Sequence, residues 1–279
     1  MIGKVLKVNS GFYDIISDGE VYRTRGSGNL RETAQHPLVG DQVKFNPDGF
    51  LYEILERKNF LVRPKVANID QVVIVTALCE PKFSSFILDK FLAIIEFQGI
   101  KPVILFTKAD LTDDKIFRDY LSQGYDVVKI SNTDESQDYS QLTNLLKNKL
   151  SVFTGQSGAG KSTTINNISN LNLETQMISK SLGRGKHTTR IVEIYQLDDF
   201  EIIDTPGFSI LESTLSKNDL AKSFHDFKKL SFECEFRTCI HFKELNCKIK
   251  SQVKNGNILE TRYNNYLRLI SEVVDTHEK

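Results

Sequence analysis

The apolar residues of this chain fall into two distinct patterns. Over residues 1–65 they form short strand-like runs at 3–8, 13–17, 20–25, 42–45 and 51–56, broken by the turn formers Gly11, Asp18-Gly19, Gly26-Ser27-Gly28, Gly40-Asp41 and Asp48-Gly49. Five such runs joined by tight turns predict a small five-stranded barrel. After a junction at 59–66 containing Arg63-Pro64, the runs become continuously apolar, at 69–78, 103–106, 125–128, 151–154 and 200–204. These predict buried strands, and the segments between them have helical character. Residues 83–97 repeat Phe, Ile and Leu as a core-facing helix would, 140–150 reads as helical, and 162–171 lacks Pro and Gly and places Ile165 and Ile168 on one face. The second part is therefore expected to be an α/β domain.

One junction in that domain carries chemistry. Between the strand at 151–154 and the helix after it stands Gly155-Gln156-Ser157-Gly158-Ala159-Gly160-Lys161-Ser162, a complete G-x-x-x-x-G-K-[ST] phosphate loop in its strand–loop–helix context. The glycines let backbone N–H groups surround phosphate oxygens, and the helix N-terminus adds its positive end. Lys161 is expected to reach the β- and γ-phosphates and Ser162 to ligate Mg²⁺, with Thr163 behind it in the first helical turn and Asp204 supporting the ion. Asp204 ends a strand and opens Asp-Thr-Pro-Gly207, where Gly207 can offer its N–H to a γ-phosphate and so act as a switch. Between these motifs lies a basic segment, 180–190, in which Thr188 or Thr189 is the expected Mg²⁺-binding switch threonine; a solvated basic loop is the alternative.

Base recognition is carried by Thr107-Lys108-Ala109-Asp110 at the end of a strand. The Asp110 carboxylate can accept from guanine N1–H and the exocyclic amine, whereas adenine would face it with an acceptor. Sites built on such bonds reject the wrong partner by about 10⁴. Lys108 can lay its stem along the base, and Ser131 follows the next strand as a supporting loop. This base motif precedes the phosphate loop, the reverse of the usual order, so the chain reads as a circularly permuted GTPase that uses GTP with Mg²⁺ and releases GDP.

The cysteines add a separate element. Three of four lie in Cys234-x₄-Cys239-x-His241-x₅-Cys247, a Cys₃His set suited to one structural Zn²⁺. Cys79, after the run at 72–78, reads as a buried strand thiol. His36, His225 and His277 are assigned no chemistry. Lys plus Arg equal Asp plus Glu at 36 each, so attraction to nucleic acid must come from local patches, and residues 1–65 hold ten basic against eight acidic side chains. Arg23, Arg25 and Arg31 form one possible patch; a solvated barrel face is the alternative. No apolar run reaches the roughly 18 residues of a membrane span, and the expectation is a cytoplasmic monomer with no membrane contact.

Taken together, these motifs resemble the RsgA/YjeQ family of ribosome small subunit-dependent GTPases over essentially the whole chain. The resemblance implies a multidomain α/β protein: an N-terminal OB-fold barrel (1–65) that binds RNA, a circularly permuted P-loop GTPase domain (66–213), and a C-terminal, mainly helical zinc-binding domain (214–279). It also implies a role in late maturation of the small ribosomal subunit, with that subunit and its rRNA as partners and as stimulators of turnover. His187, before the switch threonines, matches the family's proposed catalytic group. The family's base motif usually begins with Asn, whose amide braces the base loop against the phosphate loop. Thr107 stands there instead, and a shorter hydroxyl predicts a weaker brace and weaker nucleotide binding. Phe208 follows Gly207 where Ras-like enzymes carry a water-orienting Gln, so slow unaided turnover is expected. Two rivals remain open at this level: a nucleotide-regulated RNA-binding module with negligible hydrolysis, and, disfavoured by Asp110, a P-loop ATPase.

Overall fold

A computed structural model describes residues 1–28, 30, 36–111, 114–169, 171–173, 192–205 and 215–273. His187, Thr188, Thr189, Gly207 and Phe208, with Arg31 and His277, lie outside the described residues.

The five N-terminal runs become β1 (Ile2–Asn9), β2 (Phe12–Ser17), β3 (Glu20–Gly26), β4 (Gln42–Phe45) and β5 (Phe50–Ile54), closed into a barrel in the order β1-β2-β3-β5-β4. Closure comes from β1 pairing antiparallel with β4 and from β3 running parallel to β5, the connectivity of an OB barrel. Alternation sends Val5, Tyr13, Ile15, Val43, Phe45 and Leu51 inward, and these residues fill the barrel. Gly3 is required in β1, because a Cβ there would lie 2.6 Å from the Ile15 side chain and from the Ile16 carbonyl oxygen.

A small hairpin, β6 (Phe60–Leu61) with β7 (Val66–Ala67), links barrel to sheet. Buried Asn59 fixes it by exchanging bonds with the Ile69 backbone at 2.9 and 3.0 Å.

The second unit is built on a six-stranded sheet of β8 (Gln71–Ala77), β9 (Lys101–Thr107), β10 (Asp126–Lys129), β11 (Leu150–Gly155), β12 (Ile194–Gln196) and β13 (Glu201–Asp204), ordered β10-β9-β8-β11-β13-β12. All neighbours run parallel except β12, which is antiparallel to β13. Both faces of a parallel sheet are covered, which is why β8 and β11 are buried along their whole length and read as continuous apolar runs. The crossover helices are α1 (Ser85–Phe97), α2 (Lys115–Ser122), α3 (Ser140–Leu146) and α4 (Lys161–Ile168). Helix α3 is shorter than the 140–150 read from sequence. Asn148 takes a left-handed φ of 58° and Lys149 already leads into β11, so the chain turns where the periodicity suggested continuation. Cys79 also departs from expectation: the β8 ladder ends with Ala77 opposite Thr107, and Cys79 is half-buried in the turn beyond it.

The C-terminal part is helical, with α5 (Lys217–Leu220), α6 (His225–Leu230), α7 (Lys248–Lys254) and α8 (Glu260–Glu272). It shares one core with the face of the sheet that α1 covers. Ile74, Leu88, Phe106, Phe224, Phe227, Ile249, Tyr266 and Leu269 belong to the same cluster.

Candidate nucleotide site and metal centre

From β8 the sheet order proceeds outward through β9 and β10 on one side, and through β11, β13 and β12 on the other. The β8/β11 boundary is therefore the topological switch point, and ligands of such sheets bind beyond the carboxyl ends of the strands there. The predicted motifs occupy those ends. Thr107 closes β9, Gly155 closes β11 and Asp204 closes β13, with Gly155 opposite Val75 and Phe153 opposite Asp204 in register. Motifs in reversed sequence order thus meet on one rim.

The phosphate loop is shaped by its glycines. A Cβ on Gly155 would fall 2.2 Å from the Val75 carbonyl oxygen, so only glycine permits β11 this approach to β8. Gly158 and Gly160 have φ of 81° and 86°, and left-handed Gly160 caps α4, which starts at Lys161. Ala159 is buried, Gln156, Ser162 and Thr163 are half-buried, and Ser157 and Gly158 are exposed. Lys161 is buried and pairs with the Asp204 carboxylate. The lysine expected to bind phosphate and the carboxylate expected to support Mg²⁺ are therefore brought together.

The base-side residues lie beside this loop. Lys108 takes a left-handed φ of 55° and its ammonium donates to the Glu80 carbonyl. Asp110 is exposed within a 3₁₀ turn, Ala109–Leu111, and the Ala109 N–H donates to the Ile130 carbonyl at 3.2 Å. Ser131 is buried; its N–H donates to Gln137 Oε1 at 2.8 Å and its hydroxyl lies 3.1 Å from that of Thr133. Thr107 is fully buried and its hydroxyl donates to the Ala159 carbonyl at 2.6 Å. A hydroxyl at this position therefore spans base loop and phosphate loop despite its short reach. A second tie was not legible in the sequence: Asn132, read only as part of a polar loop, bonds to Gly160 and Thr164. No residue-type signal distinguishes it from its polar neighbours; only the fold brings it to the phosphate loop.

Cys234, Cys239, His241 and Cys247 converge, with all four donor atoms within 4.8 Å of one another. His241 Nδ1 lies 3.7, 3.3 and 3.4 Å from the sulfurs of Cys234, Cys239 and Cys247. A tetrahedral ion with metal–sulfur bonds near 2.3 Å and a metal–nitrogen bond near 2.0 Å would set those edges at about 3.5 Å. The donor set and its spacing thus fit a structural metal ion. Burial pushes the Cys239 and Cys247 thiols up and the His241 imidazole down from their ordinary pKa values; a bound cation would reverse the thiol tendency and favour thiolate. The loop is held from outside by Glu244, which accepts from the backbone N–H groups of Ile240 and Phe242 at 2.7 and 2.8 Å, and by the Tyr263 hydroxyl, which donates to the His241 carbonyl at 2.8 Å.

His225, which the sequence left without a role, joins the C-terminal part to α1. Its Nδ1 is 3.1 Å from Glu96 and its Nε2 is 2.6 Å from Asp226.

A closed OB-type barrel, a P-loop rim assembled from permuted motifs and a Cys₃His knot define a circularly permuted P-loop nucleotide-binding protein. Comparison with known proteins agrees. Residues 54–214 match the RsgA GTPase family model and residues 2–49 match the RsgA N-terminal domain. A Mycoplasmopsis pulmonis protein named small ribosomal subunit biogenesis GTPase RsgA is 50% identical over 277 residues, covering 98% of this chain and 100% of that protein. A Streptococcus pneumoniae protein of the same name is 44% identical, covering 100% and 96%. Among solved structures, YloQ, described as a circularly permuted GTPase, superposes with TM-score 0.78 at 36% identity, covering 98% of this chain and 94% of that one. YjeQ from Thermotoga maritima gives TM-score 0.80 at 31% identity, covering 98% of both chains. The chain belongs to the RsgA GTPase family.

Proposed function

We propose that this chain hydrolyses GTP to GDP and phosphate in the service of small ribosomal subunit maturation, the role given in the names of its full-length relatives. The observation that carries the reading is the direct bond from Thr107 to Ala159, which unites a guanine-type base motif with a phosphate loop across the switch point. Asp110 accepts from the guanine edge, Lys108 lies along the base, and Ala109 and Ser131 line its side. Residues 155–163 cradle the phosphates, Lys161 meets the β- and γ-oxygens, and Gly207 senses the γ-phosphate. A nucleotide phosphate arriving at Lys161 must compete with Asp204, so nucleotide binding frees that carboxylate for a cation.

Ser162, Asp204 and Thr188 or Thr189 would hold Mg²⁺, which supplies charge neutralisation at the phosphates. The hydroxyl and carboxylate oxygens of Ser162 and Asp204 are the hard donors that ion takes. Water is the nucleophile: its oxygen forms the new bond to the γ-phosphorus, the β–γ bridging oxygen leaves with GDP, and a proton goes to solvent or phosphate. His187 positions that water. Cys234, Cys239, His241 and Cys247 would hold Zn²⁺ as a structural ion, with all four positions filled and none open for catalysis.

Three units share the work: residues 1–65 and 214–279 contact rRNA, and 66–213 bind nucleotide. No helix among the described residues is long and apolar enough to cross a membrane, and the reading is of a cytoplasmic protein. The test is hydrolysis of GTP, with ATP as control, alone and with purified small ribosomal subunits. Stimulation confined to GTP is expected. GTP bound but not turned over under either condition would leave a nucleotide-regulated RNA-binding module.

A further inference from the structure

Asn132 lies where the base-side turn meets the phosphate loop. Its amide nitrogen donates to Thr164 Oγ1 at 2.9 Å and to the Gly160 carbonyl at 3.3 Å, and the Thr164 hydroxyl closes the triangle onto the same carbonyl at 3.0 Å. The other end of the amide is held as well. Oδ1 accepts from the Tyr139 hydroxyl at 3.2 Å, and that hydroxyl accepts from Asn167 at 2.7 Å. The approach is tight: a Cβ on Gly160 would fall 2.9 Å from the Asn132 amide nitrogen.

The arithmetic of donors explains why two residues are needed. Thr107 has one hydroxyl proton, and its short bond is to Ala159. The next carbonyl of the loop, that of Gly160, receives its tie from the base-side turn through Asn132. Asn132 has two amide protons and uses them on Gly160 and on α4.

We propose that Asn132 is a positioning residue for nucleotide binding: with Thr107 it fixes the distance between base-reading turn and phosphate loop, and Tyr139 orients its amide. The inference rests on the reading of this rim as a guanine-nucleotide site. A nucleotide has a base at one end and phosphates at the other, so two loops held at the matching separation bind it without first having to be ordered. Loosening one tie leaves every ligand-contacting group in place and speeds release.

The experiment measures GDP affinity and the dissociation rate of fluorescently labelled GDP for the full chain, Asn132→Ala and Tyr139→Phe, with thermal unfolding of each in the absence of nucleotide. Asn132→Ala is expected to weaken GDP binding about tenfold, the scale of one or two lost hydrogen bonds, chiefly through faster release. Tyr139→Phe removes the orienting bond together with the bond the hydroxyl accepts from Asn167, and is expected to cost roughly two- to threefold. Both retain the preference for GDP over ADP, and the lost bonds lower the nucleotide-free unfolding temperature by only a few degrees, so both variants are folded when they are compared. Should Asn132→Ala fail to fold, Tyr139→Phe decides alone. Variants that hold and release GDP as the unchanged chain does would overturn the role of Asn132 and leave the nucleotide site standing, whereas an unchanged chain that binds no GDP would remove the reading of the site itself.

Discussion

At the residue scale the base motif is decided by single atoms. Asp110 is exposed on the rim, where two carboxylate oxygens can meet two donors of guanine. Replacing it by Asn exchanges one acceptor for a donor. Asp110→Asn is therefore expected to weaken GDP at least a hundredfold and to shift preference to xanthosine diphosphate, whose 2-oxo group can accept from the new amide. Competition binding with the two nucleotides checks it, and unaltered guanine preference would remove Asp110 from base recognition. Thr107 shows the limit of reading residue types. Its short side chain predicted a weak brace, but the close approach of the loops puts the Ala159 carbonyl 2.6 Å from its hydroxyl. The strength of a brace depends on the distance to be spanned, and residue type alone does not contain that distance.

At the element scale the least expected feature is the junction of α1, α6 and α8. Arg262 of α8 is 1% exposed and lies between the Tyr125 and Phe224 rings, 4.8 and 4.5 Å from their centroids, with Asp89 and Glu96 of α1 at 3.5 and 3.9 Å. His225 completes the cluster. Burial opposes its charged form, but hydrogen bonds to Asp226 and Glu96 and the charges of both carboxylates prevail and raise its pKa from 6.5 to about 9. A raised folded-state pKa contributes stability that is fully present below the unfolded value near 6.5 and is lost as pH rises through about 9. The ring is partly solvated, so the pairing is discounted to about 1 kcal/mol. His225→Gln is expected to lower stability by that amount at pH 6 and to match the unchanged chain by pH 10; denaturant unfolding across this range checks it. Parallel curves for the two proteins would show that the pairing is not linked to folding. Nothing in the sequence marks these residues, because Glu96 and His225 are far apart in the chain and carry no common motif.

At the scale of the whole molecule, the barrel and the sheet meet through β1. Lys4 pairs with Glu201 at 2.5 Å, Lys7 pairs with Glu193, and a backbone bridge joins Lys7 to Glu193 next to β12. Glu193 follows the basic segment in which the switch threonine is expected, and Glu201 begins the strand that ends at Asp204. The barrel therefore grips the strand pair that lies between the two expected switch motifs, while the Cys₃His knot joins the core shared with the sheet through Cys239, Cys247 and Tyr266. Because that knot packs into the shared core, removal of an ion held there should be felt beyond the knot. Metal stripped by a strong chelator is expected to lower the thermal midpoint by several degrees, with recovery on adding Zn²⁺ but not Mg²⁺, as a Cys₃His donor set requires. Metal analysis and thermal unfolding check it; a stripped chain as stable as the untreated one would mean that the knot does not need an ion.

The sequence by itself determined the elements and the chemical vocabulary of this protein. Strands buried on both faces must be continuously apolar, barrel strands must be short and separated by turn formers, and a phosphate loop needs glycine where backbone must approach backbone, as Gly155 does at Val75. Those requirements are local and leave their mark on residue types. Only the tertiary structure decided what meets what: the closure of β3 on β5, the meeting of Thr107 with Ala159, the tie from Asn132 to Gly160, and the packing of Arg262 between two rings. Each joins segments whose separation in space is set by sheet order, and sheet order is a property of the whole packed chain that no short stretch of sequence encodes.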